Sequence, residues 1–178
     1  MKTVVVGGHS RNIGKTSVMA GLIRCMKSMH WTAVKITQYG HGVCSHDGQP
    51  CGCAPTEHPF ALTEERDATG RSDTSRFLQA GARRSLWLRV RQGQLAEAMP
   101  ILREALAGDD CVMIESNSVL QYMEPLVYLA VLDPRQNDFK PSALTYLGRA
   151  DALVPIANGR AFNEQAWPEL DHRMLKSQ

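Results

Sequence analysis

Apolar residues along this chain fall into short blocks separated by stretches of helical period. Residues 3–6, Thr3-Val4-Val5-Val6, form a run of β-branched side chains with no polar face, the pattern of a central parallel strand. Glycines and polar residues follow from Gly7 to Gly14. Then Val18, Met19, Leu22, Ile23 and Met26 recur at helical spacing, with Arg24 and Lys27 on the opposite side. Further strands are predicted at 32–37, 85–90, 111–114, 127–132 and 152–156. A short helix is predicted near 73–80. A longer one over 94–107 places Leu95, Met99, Leu102 and Leu106 on one face, and Pro100 either kinks it or marks its first turn. From Gln38 to about Ser72 the period disappears into Gly, Pro, Cys, His and acidic residues. Irregular segments of that length inside a compact domain are commonly functional or mobile. The last stretch, 162–178, is amphipathic at best.

Strands alternating with helices predict βαβ units, hence an α/β fold with a mostly parallel sheet and helices on both faces. Ligands of such sheets sit at the carboxyl ends of the strands. Chemistry is therefore expected just after Val6, Thr37, Val90, Glu115 and Ile156.

The chain has 178 residues, enough for one domain that buries ~68–70 % of its unfolded surface. An apolar content of 43 % excludes disorder as the dominant state. Lys and Arg number 20 against 18 Asp and Glu, and the net charge of +2 gives no reason to expect nucleic acid or an anionic membrane as partner. No apolar run approaches the ~18–20 residues of a membrane span. The opening residues reach glycine too early for a signal-peptide core. Five cysteines, three of them within ten positions, do not read as a secreted disulfide framework, so a cytoplasmic protein with reduced thiols is expected.

The strongest chemical signal follows the first strand: Gly7-Gly8-His9-Ser10-Arg11-Asn12-Ile13-Gly14-Lys15-Thr16-Ser17. At a strand-to-helix turn, backbone N–H groups and the helix dipole favour phosphate oxygens. Lys15 would reach the β- and γ-phosphates and the Thr16 hydroxyl would bind Mg²⁺. Counted from Gly8 the spacing is G-x₅-G-K-T. Gly8, His9, Ser10, Arg11, Asn12, Ile13, Gly14, Lys15, Thr16 and Ser17 are thus the expected phosphate-binding residues, with His9 exposed to the nucleotide.

A nucleotide site also needs carboxylates for Mg²⁺ or the attacking water. Glu115 ends an apolar strand at the ligand edge and is the first candidate. Asp73 opens a short helix, where metal binding and N-capping are equally reasonable roles. Lys15, Glu115 and Asp73 form the expected catalytic set. Lys35 lies in an otherwise apolar strand, where a buried cation demands an anion. It is read as facing phosphate or substrate, against a solvated strand end. Asn158 could bond a purine edge or simply form an Asn-Gly turn. Cys44, Cys51 and Cys53, with His58 as fourth ligand and His41 and His46 nearby, suit Zn²⁺. A redox dithiol, another metal or unrelated thiols are the alternatives. Cys25 and Cys111 are expected in the core.

The G-x₅-G-K-T spacing is similar to that of dethiobiotin synthetases, members of a dimer-prone class of P-loop proteins. Other segments resemble the molybdopterin-guanine dinucleotide biosynthesis adaptor family (MobB type). These are Val34-Lys35-Ile36-Thr37-Gln38-Tyr39-Gly40-His41, Asp73-Thr74-Ser75-Arg76-Phe77-Leu78-Gln79-Ala80-Gly81-Ala82 and Val112-Met113-Ile114-Glu115. Where that family has Glu-Gly-Phe this chain has Glu115-Ser116-Asn117, and the cysteine-rich loop is its own. The resemblance covers about 1–132. It implies a single three-layer P-loop NTPase domain over 1–178, with an irregular Cys/His-rich insertion at about 38–72. It further implies GTP or ATP binding with Mg²⁺ and slow hydrolysis by a homodimer. The role implied is that of a nucleotide-dependent adaptor for another protein of molybdenum-cofactor biosynthesis. The likeness to dethiobiotin synthetase implies an alternative, an ATP-dependent ligase or kinase-like enzyme acting on a small molecule.

Overall fold

A computed structural model describes residues 1–40, 59–157 and 160–161. In chain order the strands are β1 (Lys2–Gly8), β2 (Thr32–Tyr39), β3 (Phe60–Glu64), β4 (Arg84–Arg91), β5 (Cys111–Glu115), β6 (Val127–Leu132), β7 (Ala152–Ala157) and β8 (Arg160–Ala161). The helices are α1 (Lys15–Cys25), α2 (Asp73–Ala80), α3 (Leu95–Leu106) and α4 (Pro141–Leu147). One sheet takes the order β3-β4-β2-β5-β1-β6-β7-β8. The pairings of β1 with β5 and β6, of β2 with β4 and β5, and of β6 with β7 are parallel. Antiparallel β3 and β8 close the edges. No helix among the described residues is long and apolar enough to cross a membrane.

Strand side chains alternate between faces, and the two cores follow from that period. Val4 and Val6 of β1, Ala33 of β2 and Met113 of β5 pack beneath α1 and α2, with Val18, Met19, Ile23, Trp31 and Phe77. Val5, Val34, Val112 and Ile114 point the other way onto Ala98, Met99 and Leu102 of α3. The sheet is therefore the middle of three layers, and β1 lies between β5 and β6 as its unbroken apolar run predicts.

Two elements depart from the expected pattern. β3 forms inside the interval read as irregular; Phe60 and Leu62 are half-buried against the α3 core while Thr63 and Glu64 are exposed. Its signal is only two apolar residues on one face, too brief for a period to show. α4 was absent from the expected elements because it buries only Ala143. Proline at its first position starts it, where a missing N–H costs nothing. Pro100 sits inside α3, five residues beyond Leu95, and does not mark the first turn. Cys25, expected in the core, is exposed as the last residue of α1. Cys111 is buried as expected.

Candidate functional site

The strand period also builds the site. Two residues beyond Ala33 and Met113, and on the same sheet face, come Lys35 and Glu115, which are register partners across β2 and β5. They emerge at the carboxyl edge, where α1 and α2 begin. Thr16 lies in the first turn of α1 and Asp73 is the first residue of α2. Four residues spread over a hundred positions thus meet at one point.

The loop from β1 to α1 passes through left-handed backbone at Asn12 (φ 55°) and Gly14 (φ 93°). Alternation in the sign of φ turns successive N–H groups toward a common point, an anion-binding concavity. Gly14 is the N-cap of α1 and no side chain caps this helix start, which leaves its first amides for a ligand. A β-carbon on Gly8 would come within 2.6 Å of Ile13 Cδ1 and 3.0 Å of the Lys15 stem, so any larger residue would have to displace the side chains that cross this strand end. The Lys15 ammonium folds back to donate to Ser10 O at 2.9 Å. Burial lowers its pKa from the usual lysine value and nearby Lys35 and Arg11 add to this, with Glu115 and Asp73 opposing.

Beside the loop, the Thr16 hydroxyl donates to Glu115 Oε2 at 2.8 Å, and Glu115 is only 3 % exposed. The Lys35 ammonium bridges Glu115 Oε1 and Asp73 Oδ2, the latter at 2.9 Å. Burial works against that ammonium, yet Glu115 and Asp73 outweigh it and raise the Lys35 pKa. Burial likewise opposes the Asp73 carboxylate, but Lys35, Thr16 and Arg76 prevail and lower its pKa. Arg76 of α2 reaches Asp73 at 3.6 Å and donates to Ser17 Oγ at 3.0 Å. The N-cap of α2 is Ser72, whose side chain accepts from Ser75 N, so Asp73 is free of the capping duty open to it.

These groups line a cleft of about 750 Å³. It runs from the loop residues Gly8, Arg11, Asn12, Gly14, Lys15, Thr16 and Ser17 toward Thr37, Gln38, Trp87 and Gln92 on one side. On the other it reaches Asn117, Lys140 and Ser142. Arg11, Lys15, Lys35, Arg76 and Lys140 face it against two carboxylates, Asp73 and Glu115, so the cleft carries an excess of positive charge.

His9 corrects the expectation of an exposed, nucleotide-facing residue, being 1 % exposed and turned beneath the loop. Its Nε2 accepts from Asp133 N at 2.9 Å, so the proton resides on Nδ1, which donates to Asp138 O at 3.1 Å. The ring packs on Phe139 with centroids 4.6 Å apart. Its backbone carbonyl accepts from Lys140 N at 2.8 Å, and Ser10 Oγ donates to Asp138 Oδ2 at 3.3 Å. Ser10 and His9 therefore fasten the segment after β6 to the loop instead of lining the cleft, and Ile13 is core. Asp133 closes the start of that segment through Arg135 and Gln136. Hydrogen bonds from Arg135 hold its carboxyl at about 2.

Asn117 and Lys140 were missing from the residues expected here. Asn117 Oδ1 accepts from Gly8 N and its Nδ2 donates to Gly8 O, both at 2.8 Å, a two-point lock on the loop's start. Its position two residues after Glu115 was the available signal. Lys140 had none, since it follows an irregular polar segment. Asn158, Cys44, Cys51, Cys53 and His58 lie outside the described residues. No protein-family model, curated protein or solved structure matches the chain.

Proposed function

We propose that the chain is a P-loop protein that binds GTP or ATP with Mg²⁺ and hydrolyses it slowly. The observation that carries this reading is the convergence of Lys15, Thr16, Lys35, Asp73 and Glu115 on one cationic cleft, over a helix start with no side-chain cap. A polyphosphate is the ligand that satisfies free amides, several cations and a hydroxyl–carboxylate pair together. The donor set beside Lys15 is oxygen only, from Thr16, Glu115 and Asp73. That fits Mg²⁺, which binds through one or two carboxylates plus phosphate and water. Once bound, the ion would neutralise charge developing on the phosphates. Lys35 occupies both carboxylates in the free protein and would turn to phosphate when a divalent cation replaces it.

By its sequence resemblance, the cellular role is that of a homodimeric, nucleotide-dependent adaptor for a molybdenum-cofactor biosynthesis protein. The cysteine loop, Cys44, Cys51 and Cys53 with His58, would carry Zn²⁺. The second reading, an ATP-dependent ligase or kinase-like enzyme, is favoured by one feature. The cleft continues past the phosphate loop to Thr37, Gln38, Trp87 and Gln92, leaving room for an acceptor. Turnover stimulated by a small carboxylate or amine would select the enzyme; stimulation by a protein would select the adaptor.

Calorimetric titration with ATP and GTP, with and without Mg²⁺, tests the common core of both readings. Triphosphate should bind, and Lys15→Ala should weaken it at least ~100-fold, the scale of charge-assisted bonds lost together. The variant should fold normally, because burial already opposes that ammonium. Unchanged affinity in Lys15→Ala would end the assignment.

A further inference from the structure

Lys140 enters the cleft from the opposite side to Lys35. β6 flanks β1 on the side away from β5 and β2, and the segment after β6 returns over the loop to deliver Lys140 at the start of α4. Its position is fixed at several points: Lys140 N on His9 O, the His9 ring on Asp133, Asp138 and Phe139, and Ser10 Oγ on Asp138. A buried histidine with both ring nitrogens engaged is a costly way to hold an ordinary surface turn.

The side chain so placed has no acid to answer it. Among the described residues no carboxylate lies within ion-pair distance of the Lys140 ammonium, and the strongest charges on it are those of Lys15, Arg11 and Lys35, with Glu115 opposing. Lys35 uses both of the cleft's carboxylates. Half-buried and among like charges, Lys140 lowers its free energy only when an anion arrives. The anion must be one that Lys15 and Lys140 can share, since their fields overlap.

We propose that Lys140 is a second cation for the terminal phosphates of the bound nucleoside triphosphate, set in place by His9 from beneath the loop. This rests on the proposed function and adds to it a residue that distinguishes triphosphate from diphosphate. A γ-phosphate brings the extra charge to the region shared with Lys15, whereas a diphosphate is held by the loop amides and Lys15.

The test is calorimetric titration of the full chain with Mg²⁺ and either ATP or ADP (GTP and GDP if guanine is the base bound), comparing wild type, Lys140→Ala and Lys140→Arg. Lys140→Ala should lose ~10- to 100-fold in triphosphate affinity while diphosphate affinity changes less than about threefold. Lys140→Arg should restore the triphosphate affinity to within about threefold. Melting temperature should not fall in Lys140→Ala, because no ion pair is removed. If wild type binds triphosphate and Lys140→Ala binds it equally well, the assignment of Lys140 fails while the nucleotide reading survives. Equal losses for triphosphate and diphosphate would overturn the terminal-phosphate placement. No binding by wild type would remove the reading beneath it as well.

Discussion

The hydroxyl of Thr16 donates to Glu115 Oε2 at 2.8 Å, tying the first turn of α1 to the end of β5 across 99 residues of chain. The same carboxylate receives Lys35 on its other oxygen. Glu115 is therefore held in one orientation by two donors before any ligand enters, and a preset carboxylate matters most where charge moves during reaction.

Glu115→Gln should consequently reduce turnover more than binding. The amide oxygen can still accept from Thr16, but the negative charge is gone. Hydrolysis should fall on the order of 100-fold while nucleotide affinity stays within about threefold, read by phosphate release and titration on the same preparation. Equal hydrolysis by both proteins would place Glu115 outside the chemistry.

Lys35 stabilises the free protein through the same carboxylate. Lys35→Met would leave Glu115, 3 % exposed, without a cation, a loss of ~3–5 kcal/mol on the scale of broken buried pairs. Removing both charges in Lys35→Met/Glu115→Gln should cost less than the single change. Urea unfolding of the four proteins of this cycle gives the coupling directly. Additive losses would show that the pair contributes nothing jointly.

Much of this was legible in the sequence. The short apolar blocks located the six parallel strands, and the Gly-Lys-Thr turn placed the loop on the edge where Glu115 and Lys35 emerge. Residues acting through distant backbone were not legible. His9 opens an apparent ligand loop, and only its contacts with Asp133 and Asp138, over 120 residues later, turn it inward. Lys140 depends on that same long-range fastening. Alternation in a strand is a local signal, whereas a hydrogen bond to a distant backbone amide leaves none.

His9→Ala should accordingly act on the segment it holds more than on the sheet. The Asp133 amide loses its acceptor and Phe139 loses its ring partner. Stability should fall by ~2–4 kcal/mol through the cavity and the unsatisfied amide. Hydrogen exchange at the amides of Asp133 and Lys140 should accelerate well beyond that of β1 and β5. Uniform acceleration across the sheet would mean that His9 supports the whole fold instead of this segment.

The remaining prediction concerns alkaline pH. Burial, then the positive charges of Lys15, Arg11 and Lys35, lower the Lys140 pKa to about 8 from the 10.5 of a free lysine, with Glu115 opposing. Below pH 8 the ammonium is charged in folded and unfolded chains alike, and its full cost falls on the folded state. Between about pH 8 and 10.5 the folded protein has released this proton while the unfolded chain still holds it. The unfolded state then binds more protons, and the Lys140 contribution to stability rises with pH across that window. Lys140→Gln lacks the group, so the difference in melting temperature between variant and wild type should be largest, in the variant's favour, below pH 8. It should narrow steadily toward pH 10.5. A difference that stays constant from pH 7 to 10.5 would show that Lys140 titrates as a solvated lysine and does not face the cations of the cleft.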